Sequence, residues 1–325
     1  TSTMNSTTRE AAKKNKKLWK DYILSSSSSS LIKKEIEDVY SFRCFSNEFI
    51  NMLHEEIQHF YECRNKYNIT VDQPNSMNNY GIILNDIGMR PLLSHFQQEF
   101  LWPLCKILFP EQAYPKFDDH HTFIVRYQYP NEDAGLDMHH DDSDVTFNVC
   151  LQKQDEVLQQ QEEDKATTVI MKSNNDNNNN NTGGTLSFCG YYGTPNHRKW
   201  ALTYQHEVGR AIVHLGSRRH GADDLLIPGS SRSNLVLWSH NWHYQKHSRD
   251  VRNSKARIKY EKEAGPPDPI CVSYTHDRDY IVYNRKDPRR NQKLIREKQH
   301  MKGWCPPRGK EYHGFDEALF KALFQ

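Results

Sequence analysis

Between residues 122 and 238 the chain repeats one local pattern. A short burst of β-branched and aromatic residues is followed by a turn rich in Gly, Pro, Asn or Asp. The bursts cover 122–129, 145–151, 183–188, 206–214 and 233–238, and Gly183 and Gly184 mark a turn at the start of the third. Five or more short strands parted by turn residues argue for an antiparallel sandwich or jelly roll with a mainly β core. Between the second and third bursts lies a polar insert, 153–182, with Gln159 to Gln161 and a run from Asn174 to Asn181 broken only by Asp176. Such a tract offers nothing to bury. It reads as a disordered loop between two strands, which a surface hairpin tolerates at little entropic cost.

Upstream the period changes from two towards 3.6. Ser46 is a fitting N-cap, and Phe49, Leu53, Ile57 and Phe60 follow at spacings of four, four and three, one apolar helical stripe. Leu93, Phe96, Phe100, Leu104 and Leu108 form a second stripe, and Pro103 within it predicts a kink or two short helices. Residues 36–42 read as a short strand, and Ile82-Ile83-Leu84 as another. The expected organisation is a disordered segment 1–30 ending in the tract Ser25 to Ser30, a helical N-terminal support region 31–115, the β domain 116–243, and an extension 244–325.

Composition bounds the function classes. Of 325 residues 36% are apolar, enough for one core but not for a chain packed throughout. The net charge of +2 makes no case for nucleic acid or a membrane surface. Residues 249–310 nevertheless carry roughly twice as many Lys/Arg as Asp/Glu, so the C-terminal extension is basic. No run of about 18 apolar residues exists to span a membrane. The N-terminus has no apolar stretch of a secretory signal. The seven cysteines are odd in number and scattered, the pattern of a reducing compartment rather than a disulfide framework. The expected location is therefore intracellular, cytoplasmic or nuclear.

The chemistry centres on Met138-His139-His140-Asp141-Asp142-Ser143, just before the second burst. In extended backbone, residues two apart share a face. His139 with Asp141, or His140 with Asp142, would aim an imidazole and a carboxylate at one point. A second histidine would complete the two-His, one-carboxylate set of non-haem Fe(II) oxygenases, which leaves positions open for a cosubstrate and O2. His220 is the best downstream candidate. The loop 223–231 and then Arg232, at the head of the last burst, follow it. That order sets a guanidinium a strand's width from the metal, where it could grip the far carboxylate of an α-keto dicarboxylate. Tyr127 could donate a phenol hydrogen bond to the same carboxylate. His240, His243 and His247 lack a Cys or acidic partner at zinc spacing and read as a solvated strand end. His120 and His121 need no metal to explain them.

Taken together, Phe123-Ile124-Val125-Arg126-Tyr127, His139-His140-Asp141, Gly183 to Phe188, His220-Gly221-Ala222 and Arg232 to Trp238 resemble the 2-oxoglutarate/Fe(II) dioxygenase superfamily, in its prolyl and lysyl hydroxylase branch. The segment from Pro74 to Leu84 is similar to the one preceding the oxygenase domain in the "2-oxoglutarate and iron-dependent oxygenase domain-containing protein 2" group. The resemblance implies a double-stranded β-helix, Fe(II), 2-oxoglutarate and, as reductant, ascorbate. It implies hydroxylation of a C–H bond of a protein side chain, with O2 consumed and succinate and CO2 released. The family places a Thr five residues after the Asp ligand, and Thr146 stands five after Asp141. Thr146, Asn148 and Cys150 also alternate with Phe147, Val149 and Leu151, so the strand has one polar face. Both points choose His139, Asp141 and His220 as catalytic metal ligands, with Arg232 and Tyr127 binding the cosubstrate. His140 and Asp142 then face outward, packed behind the ligands or solvated. One departure is that the loop from His220 to Arg232 is about two residues longer than the family pattern. The rival readings are a nucleic-acid demethylase with the same cofactors, using the basic extension, and a non-catalytic binding module that kept the fold.

Overall fold

The computed structural model describes residues 31–154, 183–192, 194–248 and 268–271. The expectations for residues 1–30, for the insert beyond Gln154 and for nearly all of the basic extension lie outside these residues. Eleven strands and four α-helices are described. In chain order they are β1 (Lys33–Ile36), β2 (Val39–Arg43), α1 (Asn47–Tyr67), β3 (Gly81–Ile83), α2 (Arg90–Phe96), α3 (Trp102–Leu108), β4 (Asp119–Gln128), β5 (Leu136–His139), β6 (Val145–Gln154), β7 (Leu186–Tyr191), β8 (Leu202–Tyr204), β9 (Arg210–Leu215), β10 (Arg218–Ala222), β11 (Ser231–His240) and α4 (Trp242–Ser248).

The strands form two antiparallel sheets. The major sheet runs β1-β2-β9-β6-β11-β4-β3 and the minor sheet β5-β10-β7-β8. Chain neighbours such as β5 and β6 lie in different sheets, the alternation of a double-stranded β-helix. Phe123, Val125 and Val236 of the major sheet pack on Leu186, Phe188 and Ala222 of the minor one. The outer face of the major sheet is closed by the helices. There Val145, Phe147, Val149 and Leu151 of β6 and Leu235 and Leu237 of β11 share a core with Ile50, Leu53 and Ile57 of α1 and Leu93 and Leu101 of the α2–α3 region. Phe147 is ringed by Phe42, Phe45 and Phe96 at centroid separations of 5.4–6.3 Å. The period-2 alternation of β6 thus sends its apolar residues to the helices and leaves Thr146 and Asn148 facing inward.

Local signals acted where expected in α1. The Ser46 side chain accepts from the Phe49 amide at 3.2 Å, and Ile50, Leu53 and Ile57 are buried. Elsewhere tertiary context altered them. The strand expected over 36–42 is a hairpin, because Asp38 takes a left-handed turn (φ 56°) between β1 and β2. Two short helices do form, but Pro103 sits in the first turn of α3 rather than between them, and a widened π turn, Gln97–Leu101, joins the two. Its extra residue shifts the buried stripe to Leu93, Gln97, Leu101, Cys105 and Leu108, so Phe100 faces solvent. Residues 206–209 are loop, ending at Gly209 with φ 77°, and only Arg210–Leu215 is strand.

One expectation is overturned. Cys189 of β7 and Cys271 form a disulfide across 82 residues of sequence. Both are fully buried, and the fold brought together cysteines whose spacing gave no sign of pairing. The scattered cysteines therefore do not by themselves argue for a reducing compartment. Among the described residues no helix is long and apolar enough to cross a membrane.

Candidate functional site

His139 ends β5, and His220 lies directly opposite it on β10. Side chains opposite one another on adjacent strands meet, and the two rings are 4.4 Å apart. Each imidazole is locked by its own strand. His139 Nδ1 lies 2.7 Å from the Asp137 carbonyl and His220 Nδ1 2.8 Å from the Arg218 carbonyl. A carbonyl can only accept, so both Nδ1 atoms carry a proton, and each ring turns its Nε2, the nitrogen left for a metal, away from its own strand. Those two Nε2 atoms lie 3.3 and 3.5 Å from Asp141 Oδ1.

Asp141 stands in the turn between β5 and β6. Thr146 Oγ1 donates to its Oδ2, and Ser143 Oγ sits 2.8 Å from Thr146 Oγ1. Because the threonine proton goes to the carboxylate, the serine donates to the threonine, and the chain of hydroxyls fixes the carboxylate's direction. Burial alone would push the Asp141 carboxyl up, but the charges and hydrogen bonds of His220 and His139 outweigh it and hold it well below the usual range. Each of the three side chains offers one ligand atom, all within 4.8 Å of one another. Two imidazole nitrogens and one carboxylate oxygen on one side fit a first-row divalent metal with its other positions open. Among the described residues no other such group of three exists.

The open side faces a cleft between the sheets, lined at its far end by Arg232, Tyr127, Asn234, Asn148 and His206. Arg232 of β11 pairs across the ladder with Tyr127 of β4, and its guanidinium lies over the Tyr127 ring, 4.8 Å from the centroid. Its Nη1 donates to the Gly184 carbonyl. Gly184 has φ 67°, so the glycine pair allows the tight turn that presents this carbonyl. Arg232 is 2% exposed, and its Nε is buried without a partner. Two residues along, Asn234 donates to Asn148 Oδ1 at 2.7 Å, while its own Oδ1 is buried and unpartnered. Burial holds His206 neutral, with the Arg232 and Lys153 charges adding to it. A buried cation and orphaned polar atoms at the end of the cleft suit an anionic group with several acceptor atoms.

The five residues singled out from the sequence thus fall on one cleft, three at one end and two at the other. The extra residues in the loop after His220 do not displace Arg232 from it. Of the two residues assigned to the outer face, Asp142 is exposed and His140 is half-buried. Its Nε2 lies 2.8 Å from His197 Nε2 with the rings stacked, and Tyr192 packs on its edge. His240 ends β11, and His243 on α4 packs against Tyr114. His120 is buried among Ser94 and Thr122. Sequence reasoning missed Asn234 and Asn148, whose inward direction follows from strand phase, and His206, which lines the cleft from the loop before β9. It also missed Asn75 and Asn78, which line the cleft from the loop before β3. Nothing in an Asn-rich turn separates a cleft wall from a surface loop.

Comparison with known proteins agrees with this geometry. The model of the OGFOD2-like domain matches residues 5–113. The chain is 32% identical over 205 residues to Arabidopsis thaliana 2-oxoglutarate and iron-dependent oxygenase domain-containing protein ICU11, covering 62% of this chain and 44% of that protein. It is 31% identical over 205 residues to human 2-oxoglutarate and iron-dependent oxygenase domain-containing protein 2, covering 63% and 49%. Human procollagen-lysine,2-oxoglutarate 5-dioxygenase 1 is 31% identical over 143 residues, covering 42% and 19%. The chain spans about half the length of the first two. It resembles the 2-oxoglutarate and iron-dependent oxygenases that these names describe.

Proposed function

We propose that the chain is an Fe(II)- and 2-oxoglutarate-dependent oxygenase that hydroxylates a C–H bond of a protein side chain, with ascorbate as reductant. The observation that carries the reading is the pairing of His139 with His220 across β5 and β10, with Asp141 against both Nε2 atoms. His139, Asp141 and His220 would hold the iron. Arg232 and Tyr127 would hold the far carboxylate of 2-oxoglutarate. When bound, the two cofactors supply the oxidising chemistry, which consumes O2, releases succinate and CO2 and leaves one oxygen atom in the substrate.

The protein's share is binding, orientation and exclusion of water. The backbone carbonyls of Asp137 and Arg218 keep both imidazoles in the tautomer that binds metal. Thr146 turns the Asp141 carboxylate towards them. Phe123, Val125, Leu186 and Val236 give the cleft apolar walls, which strengthen the Arg232 charge against a carboxylate. A protein substrate is supported by the similarity to a relative named for procollagen lysine. The test is succinate formation by purified protein given Fe(II), 2-oxoglutarate and ascorbate. Slow uncoupled turnover is expected, abolished in His139→Ala. Absence of succinate above that variant, together with absence of 2-oxoglutarate binding, would sink the reading.

A further inference from the structure

Asn78 belongs to the region that precedes the β domain, yet its side chain is 1% exposed and lines the cleft beside Tyr127. The loop that carries it is pinned at several points. The His121 ring lies 2.9 Å from the Pro74 carbonyl, Asn79 makes backbone and side-chain bonds to Asp133 at 2.9 and 3.1 Å, and the Arg126 amide donates to the Tyr80 carbonyl at 3.1 Å. Gly81 then joins the edge of β4 with φ 144°, so close that a Cβ would lie 1.9 Å from the Ile124 carbonyl oxygen. The loop is part of the cleft wall rather than a flap over it.

The direction of the hydrogen bonds in this loop follows from which groups can only donate. The amides of Met77 and Asn78 both donate to one side-chain atom of Asn75 at 2.9 Å, so that atom is the oxygen. The other end of the Asn75 amide is therefore NH2, and it lies 3.0 Å from Asn78. The Asn78 atom that meets it must be its oxygen. The NH2 of Asn78 then faces Tyr127 Oη, 3.3 Å away, and can only donate. The Tyr127 hydroxyl accepts at that point, and its own proton has no acceptor among the hydrogen bonds of the described residues. We infer that Asn78 is a positioning residue of the cosubstrate site: by donating to Tyr127 it turns the phenol proton towards the anion held at Arg232, so the N-terminal region completes the 2-oxoglutarate pocket. This inference rests on the function proposed above.

Calorimetric titration of 2-oxoglutarate into Mn(II)-loaded protein separates the two, with thermal midpoints and metal affinity measured in parallel. Wild type should bind. Asn78→Ala should weaken 2-oxoglutarate roughly 5-fold, the scale of one lost hydrogen bond. Asn78→Asp should weaken it more, roughly 10-fold or beyond, because a carboxylate accepts the phenol proton and repels the ligand. Metal affinity should hold in both. In a Tyr127→Phe background Asn78→Ala should add nothing further. A merely structural asparagine would rank the variants the other way, since Asp keeps its shape. If Asn78→Ala lowers the thermal midpoint sharply, Asn75→Ala takes its place and should weaken binding roughly 2- to 5-fold through a loosened turn. Wild type that binds while Asn78→Asp binds as well, or an Asn78→Ala effect undiminished in Tyr127→Phe, would overturn the inference alone. Wild type that does not bind would overturn the proposed function and the inference with it.

Discussion

The two ends of the cleft are built differently. At the metal end each imidazole is oriented by a backbone carbonyl two residues earlier in its own strand, and only Asp141 leans on other side chains. At the anchor end Arg232, Tyr127 and Asn78 come from three distant stretches, and each is set by another: the guanidinium by the Gly184 carbonyl and the Tyr127 ring, the phenol by Asn78. Backbone orientation is insensitive to substitution nearby, whereas a relay of side chains is not. The metal end should therefore fail only when a ligand or its carboxylate support is removed. The anchor end should weaken in graded steps.

The largest effect belongs to the ligands. Asp141→Ala should cut metal-dependent succinate formation more than about 100-fold, since loss of a group merely supporting a ligand already costs about 10–100-fold. Metal titration of the variant checks that the loss lies in binding. Next is Arg232→Ala, which would remove one partner of the buried charge pair proposed with 2-oxoglutarate. Such truncations cost about 2–5 kcal/mol, or roughly 30-fold and upward in 2-oxoglutarate affinity. Metal affinity should stay within about 3-fold if the two ends are as separate as described. Thr146→Val should do the reverse, lowering metal affinity about 10-fold through the Asp141 carboxylate. Equal losses of both ligands in either variant would break the distinction.

Two smaller changes lie outside both ends. Burial pushes the His120 imidazole down to about 4, and the Arg90 charge adds to it. An unfolded-chain histidine protonates near 6.5. Between those values the unfolded state binds more protons, so His120's contribution is present above about pH 6.5 and is lost as the pH falls through 4. Denaturation midpoints should decline over that window in wild type and less steeply in His120→Gln. Ser46→Ala should cost about 1 kcal/mol of stability by removing the cap of α1, with 2-oxoglutarate affinity unchanged.

The same contrast decides what the residues disclosed. His139 and Asp141 are two apart, and the polarity of alternate positions in β6 tells which face they share, so that half of the metal end is readable locally. His220 was less so. Arg218-Arg219-His220-Gly221-Ala222 has little strand character, and it is held extended by partners on both sides, β5 and β7. The jelly-roll class followed from the turn-parted bursts, but not the hairpin at Asp38 or the π turn that moved Phe100 to solvent, which depend on single-residue backbone choices. The Cys189–Cys271 bond, the stacking of His140 on His197, and Asn78 on the cleft wall all join residues dozens of positions apart. Their partners exist only once the sheets have closed.

The central claim is one cleft that holds a metal at His139, Asp141 and His220 and an anionic cosubstrate at Arg232. The most direct test is calorimetric titration of 2-oxoglutarate into wild-type and Arg232→Ala protein, each with and without Mn(II). The account predicts saturable one-to-one binding by metal-loaded wild type, much weaker binding without metal, and at least about 30-fold weaker binding in metal-loaded Arg232→Ala. Binding that ignores the metal, or that survives Arg232→Ala at wild-type affinity, would contradict it.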